Sequence, residues 1–255
     1  MLLALPIGIL IGLSLGALGG GGSILTVPAL VYLLGESPHS ATTASLIIVG
    51  ATSIVAMTVH LRAGRVRVRS GIAFGALGAG GAFAGSRLSA SINPSALLAA
   101  FSVLMVGAAA AMLYRQRSGA APAAGVTAAP AVSPVRVVIA ATLVGLVTGF
   151  FGVGGGFVVV PALVLALGFD MPTAVGTSLL VIAINSASAL LSRLGTRASV
   201  GDALLITFTL AAVAGAIAGS RIASRARPGR LAVAFAVLMI AIALYTAARS
   251  IPALA

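Results

Sequence analysis

The sequence predicts an all-α integral membrane protein built from two related halves. Of its 255 residues, 60% are apolar and only 7% are charged, whereas a soluble domain carries about 25% charged residues. About eight apolar stretches reach the roughly 20 residues that a helix needs to cross a bilayer. In addition, residues 12–35 repeat at 145–168 without a gap, with 13 of the 24 pairs identical. This repetition indicates an internal duplication.

The apolar stretches follow one another in the same order in both halves. They run near 3–34, 41–61, 71–92 and 95–114, and then near 135–168, 172–192, 202–223 and 230–248. Each half therefore contains about four hydrophobic segments. We predict a first membrane repeat over 1–115, a flexible linker rich in Ala, Pro and Gly over 116–134, and a second membrane repeat over 135–255.

The first segment of each half is too long for one straight crossing, and each contains a glycine cluster. The clusters lie at 19–22 and 152–156, and they are followed by Pro28 and Pro161. Glycine inside a helix costs about 1 kcal/mol relative to alanine, and proline removes an N–H and clashes with the preceding turn. We therefore predict that both segments are broken, into helices over 3–18 and 23–34 and over 135–151 and 157–168.

The arginines bear on the topology of the two halves. All 15 basic residues are arginine, and basic residues collect on the cytoplasmic side of membrane proteins. If each broken element crosses the membrane once, the halves are parallel and the arginines divide ten to five. If each is a re-entrant hairpin, the halves are inverted and the division is eleven to four. The more asymmetric division favours inverted repeats, and parallel repeats are the alternative.

A helix break inside a membrane is a candidate binding site. The backbone groups that lose their helical partners must face protein or a water-filled cavity. A helix that restarts after glycines offers free N–H groups and the positive end of its dipole, which suit an anion. Broken helices repeated in two halves are typical of the binding sites of transporters. The alternative is that the glycines only let helices pack closely.

Polar side chains near the start of the next helix would add neutral hydrogen-bond donors to this site. Their alternative roles are helix capping and contacts between helices. The predicted substrate-binding residues are Gly19, Gly21, Gly22, Ser23, Thr43 and Ser45 in the first half, and Gly152, Gly154, Gly155, Gly156, Thr177, Ser178 and Asn185 in the second.

The titratable residues give little support to other functions. Glu36 and Asp170 fall in loops and Asp202 opens a segment, so coupling through a mid-membrane carboxylate is unsupported. His60 is expected to have a boundary role rather than to relay protons. Metal-ligand spacing and hydrolase motifs are absent from the sequence, so we predict no metal, cofactor or catalytic residue. The net charge of +12 is assigned to loops that face anionic lipid, not to nucleic acid.

The duplicated motif resembles that of the sulfite exporter TauE/SafE family. It combines spaced glycines, a Val-Pro-x-Leu element and a Thr-Ser pair near the start of the next helix. The first half departs from it, with Ala44 and Ser45 opposite Thr177 and Ser178 and with Ser23 opposite Gly156, so the second half is expected to make more of the substrate contacts. The residues that carry the motif are Gly12, Gly16, Gly19, Gly21, Gly22, Val27, Pro28 and Leu30, and then Gly145, Gly149, Gly152, Gly154, Gly155, Val160, Pro161, Leu163, Thr177 and Ser178.

The resemblance implies a multi-pass permease of the inner membrane for small anions such as sulfite, sulfoacetate or other sulfonates, and not an enzyme. Two other functions stay open, a non-transporting membrane scaffold or partner subunit and an anion channel. The expected partners are a small anionic substrate and the lipid bilayer, with a homo-oligomer as an open alternative.

Overall fold

The chain folds into helices throughout the part that is described. A computed structural model describes residues 4–89, 94–118, 134–151, 156–192 and 202–250. These residues form ten α-helices and one short π-helix, which confirms the predicted all-helical class. The first five are α1 (Ala4–Leu18), α2 (Gly21–Pro28), α3 (Pro38–Arg62), α4 (Val68–Ser89) and α5 (Pro94–Arg117). The other five are α6 (Pro134–Phe151), α7 (Gly156–Leu165), α8 (Met171–Ser192), α9 (Asp202–Arg225) and α10 (Pro228–Ser250).

The helices have the length and the surface of membrane segments. Four stretches in the described ranges are long and apolar enough to cross a bilayer, namely Ser40–Arg62, Met171–Leu191, Ala203–Arg225 and Pro228–Ala248. Large apolar side chains such as Leu10, Val103 and Leu210 are exposed on the outside of the bundle. A soluble monomer rarely exposes so much apolar surface, whereas lipid covers it readily. The chain is therefore a multi-pass membrane protein.

The first broken element is interrupted at its glycines. Helix α1 ends at Leu18 and α2 begins at Gly21, with Gly19 at a φ of 79° that suits glycine. Pro28 does not end the helical segment, because a π-helix over Ala29–Leu33 follows it directly. In the second broken element, Gly152, Gly154 and Gly155 lie outside the described residues, as does nearly all of the linker predicted at 116–134.

Helix α1 packs closely against α9. Gly12 lies against Ala212 and Gly16 lies against Ala216, so the two helices run in the same direction. A Cβ added to Gly12 would lie 1.9 Å from the carbonyl oxygen of Ala212. These two motif glycines therefore serve close helix packing.

Helix α6 packs against α4 in a comparable way, with Gly145 against the backbone of Gly78. The first helix of each half of the sequence thus lies on a helix from the other half.

Helices α3 and α8 run antiparallel to each other. Gly50 of α3 lies against Ser186 of α8, and Gly176 of α8 lies against His60 of α3. Residue numbers therefore rise along one helix as they fall along the other.

Two arginine-rich stretches lie at the same end of the bundle. The Nη2 of Arg65, between α3 and α4, donates a hydrogen bond to the carbonyl of Ser224 near the end of α9, at 3.1 Å. The arginine-rich stretches at 62–69 and at 221–230 therefore lie near each other at one end of the bundle.

Candidate functional site

The two broken elements meet inside the bundle. Gly20, just before α2, packs against the backbone of Gly156, the first residue of α7. A Cβ added to Gly20 would lie 1.8 Å from the carbonyl oxygen of Gly156, so a larger residue would force the two elements apart. Ser23 also lies against Gly156, because a Cβ at position 156 would come within 2.7 Å of the Ser23 Oγ. We call this contact, formed by Gly19, Gly20, Ser23, Gly156 and Ser178, the junction.

Helix α8 completes the junction. A Cβ added to Gly19 would lie 2.4 Å from the Oγ of Ser178, whose side chain is fully buried. The Ser178 hydroxyl donates a hydrogen bond to the carbonyl of Val175 in its own helix, at 2.8 Å. The hydroxyl hydrogen of Ser178 is therefore bonded within α8, and the hydroxyl would have to rotate in order to donate to a bound anion.

The start of α2 carries no side-chain cap. Gly20 is the N-cap residue, and it has no side chain that could accept a hydrogen bond from the first turn. The first N–H groups of a helix have no partners within the helix, and they carry the positive end of its dipole. This end of α2 lies at the junction, so an anion there would meet backbone donors directly.

Two of the predicted binding glycines, Gly21 and Gly22, are packed against other helices. Gly22 lies against the backbone of α1 near Ile11, and Gly21 faces the side chain of Leu238 in α10. The position of Gly22 also shows that α2 folds back along α1. Because both glycines are covered by protein, the contacts that the structure gives them are those of the close-packing alternative.

His60 is buried beside the first break. It lies near the end of α3, as expected, but its side chain faces inward and is 2% exposed. Its Nε2 lies 3.2 Å from the carbonyl oxygen of Gly16. In an unbroken helix the N–H of Gly20 would bond to that oxygen, but it donates to Leu18 instead, at 3.0 Å. His60 therefore satisfies a backbone group that the break leaves without its helical partner.

Sequence reasoning missed this role of His60. The available signal was an ionisable side chain within an apolar span, and such residues usually face the interior of a membrane protein.

The remaining predicted hydroxyls are those of Thr177, Ser45 and Thr43. Thr177 Oγ1 accepts a hydrogen bond from the N–H of Arg67 at 3.1 Å, which ties the α3–α4 connection to α8. Ser45 donates to the carbonyl of Thr42 at 2.9 Å, and Thr43 is buried near the start of the same helix. The described contacts bring neither Thr43 nor Ser45 to the junction.

Three buried oxygen atoms of the described residues have no hydrogen-bond partner. Asn185 is adjacent to Ser186, which packs on Gly50, so Asn185 and Ser53 both lie within a turn of the α3–α8 contact. Buried polar atoms are rarely left unsatisfied in native proteins, and they often mark a place for water or a ligand. The three atoms are Ser53 Oγ, Thr148 Oγ1 and Asn185 Oδ1.

The second broken element is held at its far end. Arg115 of α5 donates Nη1 to the carbonyls of Val164 and Leu165, in the last turn of α7. A cation is favourable there because the C-terminus of a helix carries the negative end of its dipole. A cleft of about 130 Å³ lies beside this contact, between Arg115 and Asp170.

A second cleft, apolar and of about 140 Å³, lies against Phe157 and Pro161 between α5, α7 and α10. The junction itself is closed by packed backbone. Within the described ranges, no three His, Asp or Glu side chains gather as metal ligands would.

Comparison with known proteins relates nearly the whole chain to one family. A family model described as sulfite exporter TauE/SafE matches residues 4–246. A probable membrane transporter protein of Xylella fastidiosa strain Temecula1 is 33% identical over 246 residues, which cover 94% of this chain and 92% of that protein. No solved structure matches the chain.

Two further relatives match about two thirds of the chain. A probable membrane transporter protein of Xylella fastidiosa strain 9a5c is 38% identical over 174 residues, covering 68% of this chain and 66% of that protein. The probable membrane transporter protein YdhB of Bacillus subtilis is 28% identical over 173 residues, which cover 68% of this chain and 70% of that protein.

Proposed function

The chain belongs to the sulfite exporter TauE/SafE family, and we propose that it is a secondary transporter of small anions in the inner membrane. The substrates we propose are sulfite, sulfonates or related sulfur-containing and organic anions. Such oxyanions accept several hydrogen bonds, so backbone N–H groups and neutral hydroxyls can hold them without a fixed counter-charge.

The contact between the two broken elements carries this proposal. The sequence predicts a break in each half, and Gly20 in the first cluster and Gly156 in the second lie against each other. The uncapped start of α2, Ser23 and Ser178 surround the same point. In the second half, the matching backbone groups would come from Gly152, Gly154 and Gly155. Asn185 would line the route of the anion through the protein at the α3–α8 contact.

The transport mechanism we propose uses inverted repeats. Helices α3 and α8 correspond at the 133-residue displacement of the duplication, and they run antiparallel. The folding back of α2 along α1, and the contact of Arg65 with Ser224, support re-entrant hairpins in the same way. The positive-inside rule then makes the end with eleven arginines the cytoplasmic end.

Labelling of single cysteines tests this topology, because the chain has no cysteine of its own. Cysteines at Arg87 and Arg225 should be labelled from opposite sides of the membrane if the repeats are inverted. The parallel alternative places both positions on one side, so labelling from the same side would overturn the inverted arrangement.

Accessibility of the junction tests the binding site. Cysteines placed singly at Ser23 and Ser178 of the junction, and at the predicted binding residue Ser45 of α3, should react with a small aqueous thiol reagent, and sulfite or a sulfonate should protect them. A cysteine at Ser118, exposed just beyond α5, serves as a control that reacts without protection. Inertness of all three site positions from both sides of the membrane would contradict the transporter proposal.

Uptake into proteoliposomes tests the function itself. A panel of sulfite, thiosulfate, sulfonates and short carboxylates should reveal at least one substrate with saturable uptake and counterflow. An anion channel would show neither saturation nor counterflow, and a membrane scaffold would show no uptake.

A further inference from the structure

A titratable side chain, His60 of α3, lies beside the first break. Anion binding alone does not require a titratable group there. We propose that His60 binds the proton that accompanies the anion, so that the protein moves the two together. This inference rests on the proposed transport function and names its coupling ion.

The position of His60 places it within reach of an anion at the junction. Gly16, whose carbonyl His60 contacts, precedes Gly19 by three residues, which is about 5 Å along a helix. Gly19 in turn lies against Ser178. A Cβ added to Gly176 would lie 3.1 Å from the Cβ of His60. The imidazole is therefore enclosed between α1 and α8, at the level of the junction.

The hydrogen bond to Gly16 identifies the nitrogen that takes the proton. A carbonyl oxygen only accepts hydrogen bonds, so Nε2 must carry a hydrogen to make this contact. In the neutral ring, Nδ1 is then the basic nitrogen. Protonation at Nδ1 converts the imidazole to an imidazolium and leaves the bond to Gly16 in place.

The charged groups around His60 are all positive. Helices α1, α2 and α8 contain no titratable residue, so these elements bring no carboxylate to the site. In the α3–α4 connection, the N–H of Arg65 donates to the carbonyl of His60 at 3.0 Å. The charged residues of α3, of this connection and of the neighbouring end of α9 are Arg62, Arg65, Arg67, Arg221 and Arg225.

This environment makes proton binding conditional on the anion. An imidazolium with only arginines nearby would be a buried charge without a partner, which is unfavourable. An anion at the junction supplies the missing partner, and the proton in turn favours the anion. By linkage, each ligand raises the affinity for the other by the same factor. The neutral pair then crosses, His60 releases its proton on the other side, and the ring returns to its starting form.

The test uses methanesulfonate, a monoanion that stays ionised near neutral pH, in proteoliposomes with an imposed pH gradient. For one proton per anion, a gradient of one pH unit should drive about tenfold accumulation by the wild-type protein. The His60→Gln variant keeps an N–H donor for the Gly16 carbonyl but cannot titrate. It should still exchange methanesulfonate in counterflow, with a lower affinity because the linked proton is absent. Under the pH gradient it should reach only equal concentrations of methanesulfonate inside and outside.

Two further variants separate coupling from folding. His60→Ala removes both the donor and the titration, and it should also lower the yield of folded protein. His39→Gln, at the other histidine of the chain, should behave as wild type. Wild-type accumulation by His60→Gln, or wild-type uptake that ignores the gradient, would overturn the coupling proposal alone. Absence of saturable uptake for every anion of the panel would overturn the transport function as well.

Discussion

The two broken elements share a sequence motif but are secured at opposite ends. The first is held near its interruption, where His60 contacts the carbonyl of Gly16. The second is held where α7 ends, by the bonds from Arg115 to the carbonyls of Val164 and Leu165. In each case a cationic or titratable side chain from another helix satisfies backbone oxygens that lack helical partners.

The first of these two anchors, His60, is not repeated in the sequence. At the 133-residue displacement, His60 corresponds to Arg193. In the last segment of each half the displacement is 134, since Ala100 and Phe101 recur at Ala234 and Phe235, and Arg115 there corresponds to Arg249. The glycines at 19–22 mark where the first element is interrupted. The histidine that satisfies the freed carbonyl of Gly16 has no histidine counterpart in the second half. Two elements of common origin can therefore differ in stability and in chemistry.

The largest effect is expected where the two elements touch. Gly20→Ala places a methyl group against the carbonyl oxygen of Gly156, a backbone atom that cannot swing aside. Overpacking a core costs about 1–3 kcal/mol or more, so we expect little folded protein and no methanesulfonate uptake. Yield, thermal unfolding and uptake measure the effect. Gly80→Ala on α4 is the control, because no atom lies within 4 Å of its added Cβ. Wild-type behaviour of Gly20→Ala would show that the elements do not touch.

A smaller effect is expected at the anchor of the second element. Arg115→Met removes hydrogen bonds from a charged group to two carbonyls, and each such bond contributes about 1.5–3 kcal/mol. We expect a lower midpoint of thermal unfolding in detergent, by a few degrees. Arg117→Met, at an exposed position of the same helix, should leave the midpoint unchanged. Equal midpoints for the two variants would mean that Arg115 does not stabilise the end of α7.

The smallest effect is expected from the hydroxyls of Ser45 and Ser178, which occupy corresponding positions in the two halves. Ser178→Ala and Ser45→Ala each remove a hydroxyl that bonds only within its own helix, so the free energy of unfolding should change little. Loss of one hydrogen bond to substrate should raise KM by about two- to tenfold for Ser178→Ala. The rise should be smaller for Ser45→Ala, because the second half is expected to make more contacts. A larger rise for Ser45→Ala would reverse that assignment.

The interruption of the helices could be predicted from sequence because its signals are local. Glycines at 19–22 predict the end of α1 and the start of α2 to within two residues. The sequence could not tell a glycine that packs two helices together from one at the junction. Gly12, which packs against α9, and Gly20, which packs against the start of α7, have similar sequence surroundings.

The anchors could not be predicted at all. The burial of His60 and the reach of Arg115 depend on which helix lies opposite, and an apolar pattern that covers every face of a helix does not say which face turns inward. Long-range packing therefore determines their roles.

The packing of α1 on α9 has a consequence for biosynthesis. Gly12 and its neighbour Ala212 are 200 residues apart, and a ribosome adds about 5–20 residues per second, so α1 is made on the order of 10–40 s before its partner. During that interval the nascent α1 exposes its glycine face to lipid or to the insertion machinery. We expect neither half to fold when expressed alone, and co-expression of fragments split between residues 119 and 133 to restore assembly.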